Sequence, residues 1–240
     1  ATVYLEQEGN SSSGYGLSTG GYVLAPAATL VSQRAFSVGS WQGVELGAGA
    51  LWEQKNSSGT YLSSLTYHNG AKTIGNVNFG QGYNPTVKVD GQGDSSVHEG
   101  AIRVYTYTSL TTTFDIASQG TPWADYIVTG GIAELVAGSN NDMKFKKTGD
   151  GKLRVDGPIT ATRHPFQLHA GTLELGANGV AGPALNLVSK GDSTLACVEC
   201  TTNAIGNLTR MHRVKTFSLI DDEQGACQFL ALLAKFEIRD

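Results

Sequence analysis

Cys197-Val-Glu-Cys200 has the spacing of half a tetrahedral zinc site, with His212 and Cys227 as the residues that could complete it. A structural zinc site usually brings a second compact ligand pair, which this sequence lacks, and no thioredoxin-like βαβ pattern surrounds the two cysteines. The three thiols therefore read as small packing side chains, and no metal is expected. Asp90-Gly-Gln-Gly-Asp94, with Asn140, Asn141 and Asp142 elsewhere, offers hard oxygen ligands, but without the closing bidentate Glu of a calcium loop it reads as a polar turn. Glu45 and Glu53 flank LGAGALW near Trp41 and Trp52, the manner in which two carboxylates and aromatic rings line a glycosidase cleft. Yet 21 acidic residues on a β-rich chain supply such pairs by chance, so neither is assigned a catalytic role. His98-Glu99 lacks the Gly-x-Ser-x-Gly elbow of a hydrolase, and His164 and His169 fall on opposite faces of an extended RHPFQLHA. No catalytic residue and no cofactor is expected.

Binding is the better use of what the sequence offers. In AIRVYTYTSL, strand alternation places Ile102, Val104, Thr106 and Thr108 on one face and Arg103, Tyr105 and Tyr107 on the other. Two phenol rings beside a guanidinium suit an interface or a sugar-stacking surface. Tyr105, Tyr107, Arg103 and Trp52 are the expected ligand-binding residues.

The composition limits what these residues can belong to. The chain has 240 residues, 16% of them charged, with 31 Gly against 6 Pro. Low charge with much Gly, Ser and Thr would suit disorder, but 9 Tyr, 8 Phe and 3 Trp and a 40% hydrophobic fraction point to an ordered, turn-rich β protein. A net charge of -4 argues against a general nucleic-acid binder, which needs a concentrated basic face. Lys144, Lys146, Lys147, Lys152 and Arg154 read as the solvated face of one hairpin. No apolar run reaches membrane-spanning length, and ATVYLEQEG enters a strand pattern directly, without the look of a leader.

The elements that must position the candidates are short strands. GGYVLAP, FSVGSWQGVEL, ALWEQ, TYLSSLTY, TIGNVNF and TVKVD alternate with NSSSG, NSSG, Asn69-Gly70 and DGQGD, whose Asn-Gly and Asp-Gly pairs are hairpin signals. This spacing predicts an all-β chain whose residues 1–128 form a β-sandwich of jelly-roll type. Residues 129–195 then form a short-strand, turn-rich segment, in which Met143 and Phe145 match Leu153 and Val155 across Gly-Asp-Gly as a hairpin. A small β cap over 196–240 completes the chain, with Phe229–Ile238 matching either a buried strand or a helix. The spacing of the two-beat phrases is irregular and does not suggest a solenoid of fixed period.

The stretch TLELGANGVAGPALNLVSKG resembles the shaft segments of viral and bacteriophage fibres, in which short alternating strands meet Gly or Pro turns and three chains wind together. The resemblance runs over about residues 143–190. It implies a homotrimer whose contacts are Leu153, Val155, Leu173, Leu175, Leu185 and Leu187, since two apolar side chains per strand are too few to build a core within one chain. The function it implies is that of a non-enzymatic structural or attachment component of a virus or phage particle, a tail fibre or capsid decoration. Its location would be the virion and its partners other virion proteins and a host surface glycan. A lectin-like carbohydrate-binding module and a glycan-degrading β-sandwich hydrolase are the alternatives.

Overall fold

In the computed structural model the described residues are 1–5, 16–17, 21–33, 37–38, 43–55, 59–79, 84–90, 93–105, 111–120, 123–135, 144–160, 166–176, 185–189, 193–198, 208–212 and 216–220. All regular structure among them is strand. The first turn of the chain runs through β1 (Thr2–Leu5), β2 (Gly16–Leu17) and β3 (Tyr22–Leu24). The second takes β4 (Thr29–Ser32), β5 (Ser37–Val38) and β6 (Gly43–Leu46), and the third β7 (Leu51–Gln54), β8 (Thr60–Leu62) and β9 (Ser64–His68). Then come β10 (Lys72–Ile74), β11 (Val77–Phe79) and β12 (Thr86–Asp90), followed by β13 (Ser96–Glu99), β14 (Ile102–Tyr105) and β15 (Thr111–Ile116). A sixth turn holds β16 (Tyr126–Val128), β17 (Ile132–Leu135) and β18 (Lys144–Thr148). Thereafter two described strands per turn remain: β19 (Lys152–Val155) and β20 (Phe166–Leu168), β21 (Gly171–Leu175) and β22 (Leu185–Ser189), β23 (Ser193–Val198) and β24 (Leu208–His212), then β25 (Thr216–Ile220).

Each strand pairs with the one a full turn away, and every pairing among the described strands is parallel. Three sheets result. Sheet I stacks β1-β4-β7-β10-β13-β16-β19-β21-β23-β25, sheet II stacks β2-β5-β8-β11-β14-β17, and sheet III stacks β3-β6-β9-β12-β15-β18-β20-β22-β24. This is a parallel β-solenoid coiled from one chain.

Several sequence expectations are corrected here. Among the described residues of 1–128 every strand pairing is parallel, not the antiparallel pairing of hairpins. The Asn69-Gly70 and Gly149-Asp-Gly151 turns do take positive φ at Gly70 and Gly149, but they carry the chain from sheet III to sheet I instead of reversing it. Phe145 and Leu153 therefore lie in different sheets, Phe145 beside Phe166 and Leu153 beside Tyr126 and Leu173. Nor do the expected boundaries after 128 and 195 interrupt anything: β16 pairs with both β13 and β19, and β23 runs across residue 195. The irregular spacing is real, but it is absorbed in the loops. Arg154 stacks on Glu174, 20 residues on, whereas Val97 stacks on Ile127, 30 residues on.

Inward side chains form columns down the interior. Leu30, Trp52, Thr73, His98, Val128, Val155 and Leu175 follow one another in sheet I, and Tyr126, Leu153, Leu173 and Leu195 make the neighbouring column. In sheet III, Phe145 and Phe166 stack with ring centroids 5.9 Å apart, and Phe114 lies 6.1 Å from Phe166. The core is thus closed by successive turns of a single chain. Leu153, Val155, Leu173 and Leu175 are fully buried within it, so they cannot be the surface on which copies meet. The expectation failed because it counted apolar groups per strand, whereas a solenoid pools them from every turn. Leu185 and Leu187 lie on β22, beside β20 and β24, and their side chains fall outside the description.

Glycine is abundant because the corners stack backbone on backbone. A Cβ on Gly130 would sit 2.2 Å from the carbonyl carbon of Gly100, and one on Gly100 would sit 2.1 Å from the carbonyl oxygen of Gly75. No larger residue fits that column of corners.

Candidate functional site

Of the expected ligand-binding residues, the side chains of Trp52 and Arg103 are described, and the structure does not bring these two together. Trp52 is enclosed in the interior, where its Nε1 donates to Ser32 Oγ at 3.2 Å, so it cannot stack on a ligand. Arg103 does face outward from β14, half-buried between the Asn78 and Ala133 positions of sheet II, while Ile102 and Val104 point into the core as expected. Tyr105 ends β14 with its side chain undescribed, and Tyr107 lies outside the described residues. Trp41, His164, Asn140, Asn141, Asp142, Cys200, Cys227 and the 229–238 segment also lie outside them. Cys197 lies on β23 in register between Leu175 and Leu219, and its side chain is outside the description. Among the described residues no three His, Cys, Asp or Glu side chains cluster as metal ligands.

Glu45 and Glu53 stand on different sheets, on β6 and β7 respectively. Each has a basic neighbour. Glu53 pairs with Lys55, and Glu45 Oε1 lies 2.9 Å from His68 Nε2. His68 Nδ1 is 2.7 Å from Asp90 Oδ1, and Lys88 Nζ is 3.0 Å from Asp90 Oδ2. This row of acidic and basic side chains crosses three successive turns on the outer face of sheet III. It fixes side chains across the turns, and being solvated it contributes little stability per pair.

Two ionisable groups are interior. His98 is fully buried, with Nδ1 2.9 Å from Tyr67 Oη, and Tyr67 Oη lies 2.9 Å from Thr73 Oγ1. The ring of Tyr126 lies 4.9 Å from that of Tyr67. Burial holds His98 down to about 4, against a weaker opposing pull from the Ala101 backbone, so the imidazole is neutral at pH 7. Burial pushes both tyrosines up, so they too stay neutral. Lys147 was expected on a solvated hairpin face. It instead fills an inward position between Phe114 and Leu168, and donates to the carbonyls of Thr148 (2.7 Å), Gly149 (2.8 Å) and Ala170 (3.3 Å). Burial lowers its pKa to about 8, opposed by the charges of Asp115, Asp125 and Asp150. Strand register put it inside: it is two residues from Phe145 and shares its phase.

The best-built exposed feature is one that sequence reasoning passed over. Connections from sheet III to sheet I are short: 25–28, 47–50, 69–71, 91–95, 149–151 and 169–170. Between β15 and β16 the chain instead takes nine residues, 117–125. The base of this loop is pinned by Asp125, a buried carboxylate whose Oδ1 accepts from Gln119 N and whose Oδ2 accepts from Lys152 N, both at 2.6 Å. The Asp125 carbonyl accepts from Ser96 N at 3.0 Å, and Asp150 Oδ1 accepts from Ser118 N at 2.9 Å. The turns on either side thus hold the loop in place. Trp123 stands in it with 73% of its surface exposed. The signal was present in Gly120-Thr-Pro-Trp123, an aromatic residue punctuated by Gly and Pro outside any strand pattern.

Comparison with known protein families, curated proteins and solved structures finds no match to this chain. Fold and site define the described residues as a parallel β-solenoid bearing an anchored surface loop at 117–125.

Proposed function

We propose that this chain is a non-enzymatic structural and attachment module of a virus or phage particle, with the solenoid as its shaft. The observation that carries this reading is the unbroken stack of sheet I from β1 to β25, whose strands are hydrogen-bonded neighbours throughout. Such a stack is a stiff spacer, because each turn rests only on the turns before and after it. The region resembling fibre shafts belongs to the same stack, with its short strands laid one turn above another. Association in threes, which the fibre resemblance implies, must then use outer faces; on sheet I the outward positions include Leu51, Val97 and Ile127.

The test is to apply the purified chain to immobilised bacterial surface polysaccharides, measuring both retention and released sugar, with light scattering for mass. Retention without product, on a particle of three chains, is the expected result. Product release abolished by Glu45→Gln or Glu53→Gln would refute the non-enzymatic reading, and a stable monomer at micromolar concentration would refute the trimer.

A further inference from the structure

The geometry points to Trp123 as the stacking platform of a glycan-binding site, taking one pyranose ring on its indole face, an inference that rests on the attachment reading above. Three observations on the same loop carry it. The first is length: this connection spends nine residues where the other described corners between the same sheets manage with two to five. The described residues of this loop contribute no strand to any sheet, so the stack does not need them.

The second is order. Asp125 gives its two carboxylate oxygens to two backbone N–H groups, and Gln119 Nε2 reaches the Asp125 carbonyl at 3.4 Å. Ser118 is tied to Asp150 of the next turn, and Ser95 Oγ donates to the Ala124 carbonyl from the preceding one. Loop ends fixed from both neighbouring turns, at Ser118–Gln119 and Ala124–Asp125, hold the backbone beside Trp123 and leave less entropy to lose when a ligand arrives.

The third is chemistry. Trp123 has 73% of its surface in water, and its described neighbours along the loop are polar or small: Ser118, Gln119 and Gly120. A protein-binding anchor usually sits within a contiguous apolar patch of a few hundred Å2. Here a single exposed indole stands on a loop whose described residues are otherwise polar or small, a scale suited to one sugar ring. The other exposed large apolar residues, Val23 and Tyr61, lie on β3 and β8 and belong to other sheets.

The experiment uses the full chain with purified bacterial lipopolysaccharides and capsular polysaccharides, each immobilised intact and after periodate cleavage of its sugar diols. Wild type is expected to bind at least one intact polysaccharide and not its cleaved form. Trp123→Ala is expected to lose tenfold or more in affinity, and Trp123→Tyr to keep most of it, with thermal midpoints unchanged because the ring is exposed. Equal binding by wild type and Trp123→Ala would overturn this assignment and leave the attachment reading standing. Binding that survives periodate yet needs Trp123 would mean that the indole seats in something other than a sugar, again overturning it. Failure of wild type to bind any member of the panel would sink both.

Discussion

Protonating His98 probes the packing of the interior most directly. The imidazole sits between Thr73 and Val128 in a column of sheet I, wholly out of water, with Tyr67 Oη 2.9 Å from Nδ1. Its pKa of about 4 when folded compares with about 6.5 in an unfolded chain. Between those values the unfolded chain binds a proton that the folded chain refuses, so stability falls as pH falls through that window. Integrating the linkage from pH 7 to pH 4.5 gives a loss of about 2 kcal/mol. Against a typical total of roughly 5–15 kcal/mol, that is a measurable share. Urea unfolding at several pH values in this range, on wild type and His98→Gln, isolates the effect, because carboxylate titrations are common to both. Wild type should lose about 2 kcal/mol more than the variant over the window. Parallel pH profiles would refute the reasoning and place His98 in contact with water.

Lys147 is a second base whose cation is disfavoured by burial, and the sign is the same. Its pKa is depressed to about 8, so stability should rise as pH goes from 8 toward 10.5, and Lys147→Met should remove that rise in the same unfolding assay. Leu173→Ala should cost about 2–5 kcal/mol in urea unfolding, with no change in the mass measured by light scattering, because the side chain is enclosed by its own chain. A change in association with little loss of stability would restore the interface reading of that residue. Gly130→Ala should cost about 1–3 kcal/mol, because the added methyl meets backbone of the turn below, which has no rotamer with which to yield.

Much of this fold was legible one strand at a time. The alternation in Ile102, Arg103 and Val104 placed the first and third residues inside, and the structure agrees. Asn69-Gly70 reads as a tight turn, and Gly70 does take positive φ there, although the turn does not reverse the chain. What alternation cannot supply is the partner of a strand. A tight turn with positive φ can reverse the chain into an antiparallel neighbour or bend it toward the next face, and the local residues are the same in both cases. The choice is made when side chains from successive turns close a common core, a contact between residues 20 to 30 positions apart, as Leu153–Leu173 and His98–Val128 are. The site followed the same division. An aromatic residue outside any strand is visible in Thr-Pro-Trp123, but that its loop is longer than its fellows and clamped by a buried Asp125 appears only when turns are laid beside each other. By itself the sequence determined an all-β chain of short alternating strands with glycine corners, because dihedral preference and side-chain period are local. The tertiary structure alone decided that the strands run parallel, that Trp52 and Lys147 lie inside while Trp123 lies outside, and that four of the supposed interface leucines and valines are core, because burial depends on which turn packs above which.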